Sequence, residues 1–382
     1  MSFLSSRPVM RWLVPVAAAA AVIGGGAAVG TLAANADPVL PDRTAAQLLV
    51  DLQNARVDGL SGTVVQRADL GLPAIANLAR TVGGDDSLAS LISGKNTLRV
   101  WYAGPDQARV ALIGSRGQSD VIRNGSDVWF WNSRTKEATH AKISVESGHG
   151  VPASPPAGIP ATPQEAADFA LRAIDPTTEV TVGRSARIAG RDAYELVLAP
   201  RDKASLVGQV RVAIDAAEYV PLRVQVFPKD SVDAAFEAAF TRVTFDRPDP
   251  AQFEFNPPPG TAVNEANDAQ AGGSRVEEPR AIPDKPATGT GGDNEPRTVG
   301  TGWTTVVVAS VGEGVGEATK APQGEGAEAV AGLLGQLPKV SGAWGSGQLL
   351  SGRLFTVLLT DDGRVLGGLV APERLYEVAA QR

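Results

Sequence analysis

The sequence predicts an exported α+β protein: an antiparallel sheet that is apolar on one side, with accompanying helices, and a small βαββα unit after a linker. Three observations carry this. Arg7 and Arg11 precede an apolar run from Trp12 to Ala34. Beyond it, many short segments alternate apolar and polar residues, the period of half-buried strands. The stretch Ala266–Thr298 is rich in Gly, Pro and charge with almost no large apolar side chain, the composition of a flexible linker.

Composition narrows the function classes. The 382 residues leave room for about two domains plus connections. A net charge of −7 opposes a protein built to grip nucleic acid, which needs a basic footprint. The absence of Cys removes disulfides, thiolate metal sites, a Cys nucleophile and a lipidated N-terminal Cys. Two His leave little for imidazole-based metal or base chemistry. No cofactor and no metal site is expected.

Each element follows in chain order. The basic residues and the apolar run have the form of an export signal, with Ala34-Asn35-Ala36 as a cleavage site. The run also exceeds the ~20 residues of a membrane span, so residues 1–36 are a signal peptide or a retained anchor. Either way the N-terminus inserts in or passes through the cytoplasmic membrane, and the rest is extracytoplasmic. Asp42–Val57 reads as an amphipathic helix capped by Asp42, with Ala45, Leu48, Leu49, Leu52 and Ala55 at helical spacing. Ser61–Val65 opens the first strand. Leu70–Ser93 reads as a helix broken at Gly83-Gly84, carrying Leu72, Ile75 and Leu78; it is a lid or a core helix.

Strands then dominate. Leu98, Val100 and Tyr102 alternate with polar or outward residues, as do Val110 and Leu112. Asp120–Trp131 is a hairpin turning at Asn124-Gly125, a pair suited to positive φ. If Val128 and Phe130 face the core, Trp129 and Trp131 face away, forming either a partner or membrane-interface surface or cross-strand packing under a loop. Thr162–Ile174 is a further helix. Leu196 and Leu198, Val210 and Val212, and Val224 and Val226 then mark three more strands with one apolar face each. After the linker come strand Thr304–Ala309, helix Ala327–Leu337, strand Leu349–Leu359, an Asp362-Gly363 turn, strand Arg364–Val370 and helix Pro372–Ala379.

No motif singles out a catalytic residue. His140 and His149 lack metal-ligand spacing. Gly345-Ser346-Gly347 has no hydrolase elbow around it, and Gly312–Gly316 before Lys320 lacks the Gly-Lys-Ser/Thr order of a phosphate loop. Asp85-Asp86 and Asp361-Asp362 read as solvated turn acids.

Several short pieces, taken in order, resemble a known family: Leu48-Leu49 through Ser61-Gly62-Thr63; Ser119–Gly125 with Val128-Trp129; Ile188-Ala189-Gly190-Arg191 with Tyr194-Glu195-Leu196; Ile214-Asp215 with Val220–Arg223; and Phe253-Glu254-Phe255 before Pro258-Pro259-Gly260. Together they are similar to the LolA/RseB-like (MucB-like) periplasmic lipoprotein-carrier superfamily, in its two-domain form. The resemblance implies an unclosed antiparallel β half-barrel with a helical lid over residues 37–262, a linker over 263–298 and a small domain over 299–382.

It further implies a non-enzymatic binding protein for lipid or lipoprotein acyl chains, or, as the alternative, a regulator that binds a membrane-anchored anti-sigma factor. The ligand cavity would then be lined by Leu98, Val100, Tyr102, Val110, Leu112, Leu196, Leu198, Val210, Val212, Val224 and Val226, with Leu72, Ile75 and Leu78 as the lid. Plain core packing is the other reading of every one of these residues.

Overall fold

The computed structural model describes residues 38–72, 91, 93–142, 176–265, 297–310, 335 and 337–381. The export segment, most of the expected lid including Ile75 and Leu78, and helix Thr162–Ile174 lie outside these residues. So do His149, the Gly312–Gly316 stretch and helix Ala327–Leu337 except for Gly335 and Leu337. No helix among the described residues is long and apolar enough to cross a membrane.

Helix α1 spans Ala45–Asn54 and is capped by Thr44 rather than Asp42. Thr44 Oγ1 accepts the Gln47 backbone N–H at 3.2 Å, and Gln47 Oε1 accepts the Thr44 N–H at 2.9 Å. This capping box satisfies two donors that a helix start otherwise strands. The apolar stripe of α1 buries Leu48 completely against Tyr194, Leu196 and Ile214, with Leu49 and Leu52 alongside. Burying one such leucine is worth about 1.5–3 kcal/mol.

The strands form two sheets. The larger contains β1 (Leu60–Ala68), β2 (Gly94–Tyr102), β3 (Gln107–Ile113), β4 (Gln118–Asn124), β5 (Asp127–Asn132), β6 (Glu137–Lys142), β7 (Thr178–Val182), β8 (Ala186–Ile188), β9 (Arg191–Pro200), β10 (Val207–Asp215), β11 (Pro221–Pro228), β12 (Phe236–Thr244) and β13 (Ala262–Glu265). Its order is β13-β6-β5-β4-β3-β2-β1-β12-β11-β10-β9-β7, with β8 paired to β9. The edge strands β13 and β7 do not pair with each other, so the sheet is unclosed. All its ladders are antiparallel except β13 with β6, which extends the sheet to Glu265, inside the expected linker.

The β4–β5 hairpin corrects one detail. Asn124 pairs with Asp127, so the two loop residues are Gly125 and Ser126, and only Gly125 has positive φ (63°). A glycine at the first loop position is the signature of a type II′ turn, which needs no left-handed asparagine.

The smaller sheet holds β14 (Arg297–Val299), β15 (Val306–Ser310), β16 (Lys339–Gly342), β17 (Gly345–Ser351), β18 (Thr356–Thr360) and β19 (Arg364–Gly368), in the order β14-β15-β19-β18-β17-β16. Helix α2 (Pro372–Ala380) buries Leu375, Val378 and Ala379 against Val306, Val308, Leu358 and Leu366. The single strand expected over Leu349–Leu359 is two strands. Residues 352–355 separate them, and Gly352 lies so near the chain just past β1 that a Cβ there would stand 2.9 Å from the Leu70 carbonyl. The βαββα expectation therefore undercounts the strands.

Candidate functional site

Residues directly opposite in adjacent strands share a sheet face. By that rule the eleven expected lining residues fall on one face of the larger sheet. Leu198, Val210, Val226 and Phe236 form one cross-strand row, and Leu196, Val212, Val224 and Ala238 the next. Phe240, Val64, Leu98 and Leu112 form a third. Gly62, Val100, Val110, Val121 and Phe130 form a fourth, with Tyr102 opposite Leu60 beside it.

This face has three kinds of surface. Helix α1 covers Leu196, Leu198 and Val212. Leu98, Val100 and Leu112 are buried in the main core, with Tyr102, Val110 and Val224 half-buried against it. Val210 and Val226 pack against the trio Val207, Ala235 and Leu354, which Phe355 and Trp303 from outside the larger sheet also pack against. Along the fourth row, exposure rises toward the sheet edge: Val100 is 8% exposed and Phe130 is 44% exposed. Phe130 thus does not face a closed core, contrary to the sequence expectation. Leu72 is half-buried just past β1 and is not helical.

Polar groups also stand on the face: Asn96 opposite Gln66, and Ser119 and Asn132 beyond Leu112 in the third row. Gln66 is buried; its Nε2 donates to the Leu91 carbonyl at 2.7 Å and its Oε1 accepts from Asn96 Nδ2 at 3.1 Å. The Leu91 backbone is thereby tied to the sheet.

Trp129 and Trp131 do lie on the opposite face, but they are not exposed. Phe255 lies across both rings at 5.1 and 5.9 Å, and His140 stacks on Trp129 at 4.3 Å. Both indoles are half-buried. The Phe253–Phe255 segment returns over this part of the sheet and buries Phe253 and Ile122. Of the two sequence readings of these Trp, the geometry shows the packing beneath Phe255, with both rings still partly accessible.

Buried charges are neutralised in pairs. Asp120 receives Arg109 Nε at 2.8 Å and Gln118 Nε2 at 2.6 Å. Glu195 receives Arg223 Nη2 at 2.9 Å. Asp215 takes a bidentate grip from Arg191 and the backbone N–H groups of Ala217 (3.0 Å) and Glu218 (2.8 Å). Burial alone would push the Asp215 carboxyl up; Arg191 and the two N–H donors outweigh it and hold the pKa below the ordinary carboxylate value. Each of these acids is committed to holding structure.

His140 sits between Asp127 (2.8 Å from Nε2) and Glu265 (2.9 Å from Nδ1), fastening β13 to the sheet. Ser346 donates to Asp361, and Asp362 receives Thr360 and Arg364 in the β18–β19 turn. No group of three or more acids and His fit for a metal occurs among the described residues.

Sequence reading missed Phe236, Phe240 and Val121, which share the apolar rows. The Asp120–Trp131 alternation held the signal for Val121, whereas Phe236-Glu237-Ala238-Ala239-Phe240 is diluted by alanines.

No protein-family model matches the sequence, and no curated protein matches it. Among solved structures, the chain is similar to MucB in the Pseudomonas aeruginosa MucA/MucB complex, at 13% identity over 88% of this chain and 96% of that one, TM-score 0.41. It is similar to MucB alone, at 13% identity over 87% and 94%, TM-score 0.37. A LolA-superfamily protein from Nitrosomonas europaea is similar at 12% identity over 56% and 99%, TM-score 0.22. At these scores the likeness assigns no role to any residue.

Proposed function

We propose that this protein is an extracytoplasmic, non-enzymatic binding protein that holds an acyl chain of a lipid or lipoprotein against the apolar face of its larger sheet. The observation that carries the reading is the row Val100, Val110, Val121, Phe130, which runs from buried core to solvent without a polar side chain. It spans roughly 14 Å, three inter-strand spacings of about 4.8 Å. A hydrocarbon chain laid on it gains about 0.8 kcal/mol per buried CH₂ and needs no specific polar anchor. Buried acids tied up by arginines fit a scaffold for binding rather than a site for proton transfer. Arg7, Arg11 and the apolar run to Ala34 supply the route out of the cytoplasm. The two sheets form two domains joined by the Gly- and Pro-rich segment.

The test is to express the chain with its export segment, extract the purified protein with solvent and identify lipids by mass spectrometry, then titrate it with a fluorescent long-chain fatty acid. Val110→Asp places a charge in the row and is expected to weaken uptake at least about ten-fold. No co-purified lipid together with no uptake refutes the reading. If the protein instead captures a single-span membrane protein through residues 299–382, the anti-sigma-factor regulator implied by the sequence resemblance takes its place.

A further inference from the structure

We infer that the β17–β18 turn of the smaller sheet, with Trp303, is a built-in occupant of one end of the apolar face, so that ligand and docked smaller sheet compete for Val210, Val226 and Phe236. The inference rests on the acyl-binding reading above and adds its regulation.

The argument begins with what covers each row. Leu196 and Leu198 are covered by α1, which precedes the sheet in the same unit. Val210, Val226 and Phe236 pack against the buried trio Val207, Ala235 and Leu354, and Phe355, Trp303 and Leu70 pack against the same trio. Leu354 is buried there along with Val207 and Ala235. Apolar side chains from the smaller sheet thus take the place on this end of the face that a hydrocarbon would take.

Arg353 holds the turn in place from the rim of the contact. Its Nη1 donates to Asp69 Oδ2 at 2.6 Å, its Nη2 to Ser231 Oγ at 2.9 Å, and its backbone N–H to the Leu70 carbonyl at 2.9 Å. Trp303 Nε1 donates to Thr178 Oγ1 at 2.8 Å, and Leu206 N–H donates to the Leu369 carbonyl at 2.8 Å.

This contact has the makeup of a reversible lock. Its ion pair lies at the rim, where Asp69 and Arg353 are partly exposed, and such pairs contribute little net stability, whereas Ser205, bridged to Val370, is buried. Its apolar part gives to Val210 and Val226 what a bound acyl chain would give them. Two occupants that exclude each other from one surface are coupled with negative sign, and the coupling acts equally in both directions.

The test uses the full exported chain, its Arg353→Ala and Phe355→Ala variants, and a fluorescent long-chain fatty acid as probe. Both variants are expected to bind the probe at least about five-fold more tightly than the unaltered protein, the lower end of ordinary coupling between sites. Hydrogen exchange on the unaltered protein needs no variant: saturating probe should speed exchange of the Leu206 amide, whose bond to Leu369 reports docking. Probe binding that is unchanged or weaker in the variants overturns the inference, as does a Leu206 amide indifferent to probe, while the acyl-binding reading stands. Binding by the variants alone supports the inference. No binding by any of the three proteins overturns both.

Discussion

Asp215→Asn is the sharpest probe of how the larger sheet is held together. The Asp215 side chain is 1% exposed and accepts four hydrogen bonds, two from Arg191 and two from the backbone of the turn between β10 and β11. The substitution keeps the shape but replaces a carboxylate with an amide that turns a donor toward Arg191. Breaking a buried ion pair from one side costs about 3–5 kcal/mol. Arg191 is 32% exposed and rests on the Phe245 ring at 4.7 Å, so water partly re-solvates it. The expected loss is therefore at the low end, about 3 kcal/mol.

The pH dependence has a definite sign. The folded pKa of Asp215 is depressed, so its stabilisation is complete above the unfolded value near 3.9 and is lost as pH falls through the folded value. Urea unfolding followed by near-ultraviolet circular dichroism should show the full difference between the two proteins from pH 5 to 7 and a shrinking one below about pH 3.9. A difference under about 1 kcal/mol at pH 7, or one that grows on acidification, refutes the reasoning.

Two further outcomes follow from packing. Gly62→Ala places a Cβ 2.5 Å from the Arg242 carbonyl and 2.8 Å from the Phe240 ring, so denaturant titration should show a loss of about 1–3 kcal/mol from the strained β1–β12 ladder. Phe255→Ala uncovers Trp129 and Trp131, so tryptophan emission should shift to the red and iodide quenching should rise; unchanged quenching would mean that the rings are shielded by something else.

The strands of the larger sheet were legible because their signal is local. Period-two alternation in Leu98–Tyr102, Tyr194–Leu198, Val210–Ile214 and Leu222–Val226 fixes both the strand and the face. What was not legible depends on which distant segment covers a face. Alternation puts Trp129 and Trp131 opposite Phe130, but nothing near them in sequence says that Phe255, over a hundred residues on, returns to cover the indoles while Phe130 is left in water.

The same holds for Val210 and Val226, which pack against a cluster that includes Leu354 from the β17–β18 turn. The helix cap shows the limit of local rules as well. Asp42 and Thr44 both suit the position, and the Gln at 47 decides for Thr44 because only Thr44 stands three residues before it.

The Phe253–Phe255 return has a consequence for the protein without cargo. The returning segment packs on Trp129 and Trp131 of β5 and accepts from Arg109 of β3, on the face opposite the apolar rows. This packing does not depend on what covers the apolar rows. If an acyl chain binds as proposed, its departure strips contacts from the apolar side alone and leaves the packing around Trp129 and Trp131 in place.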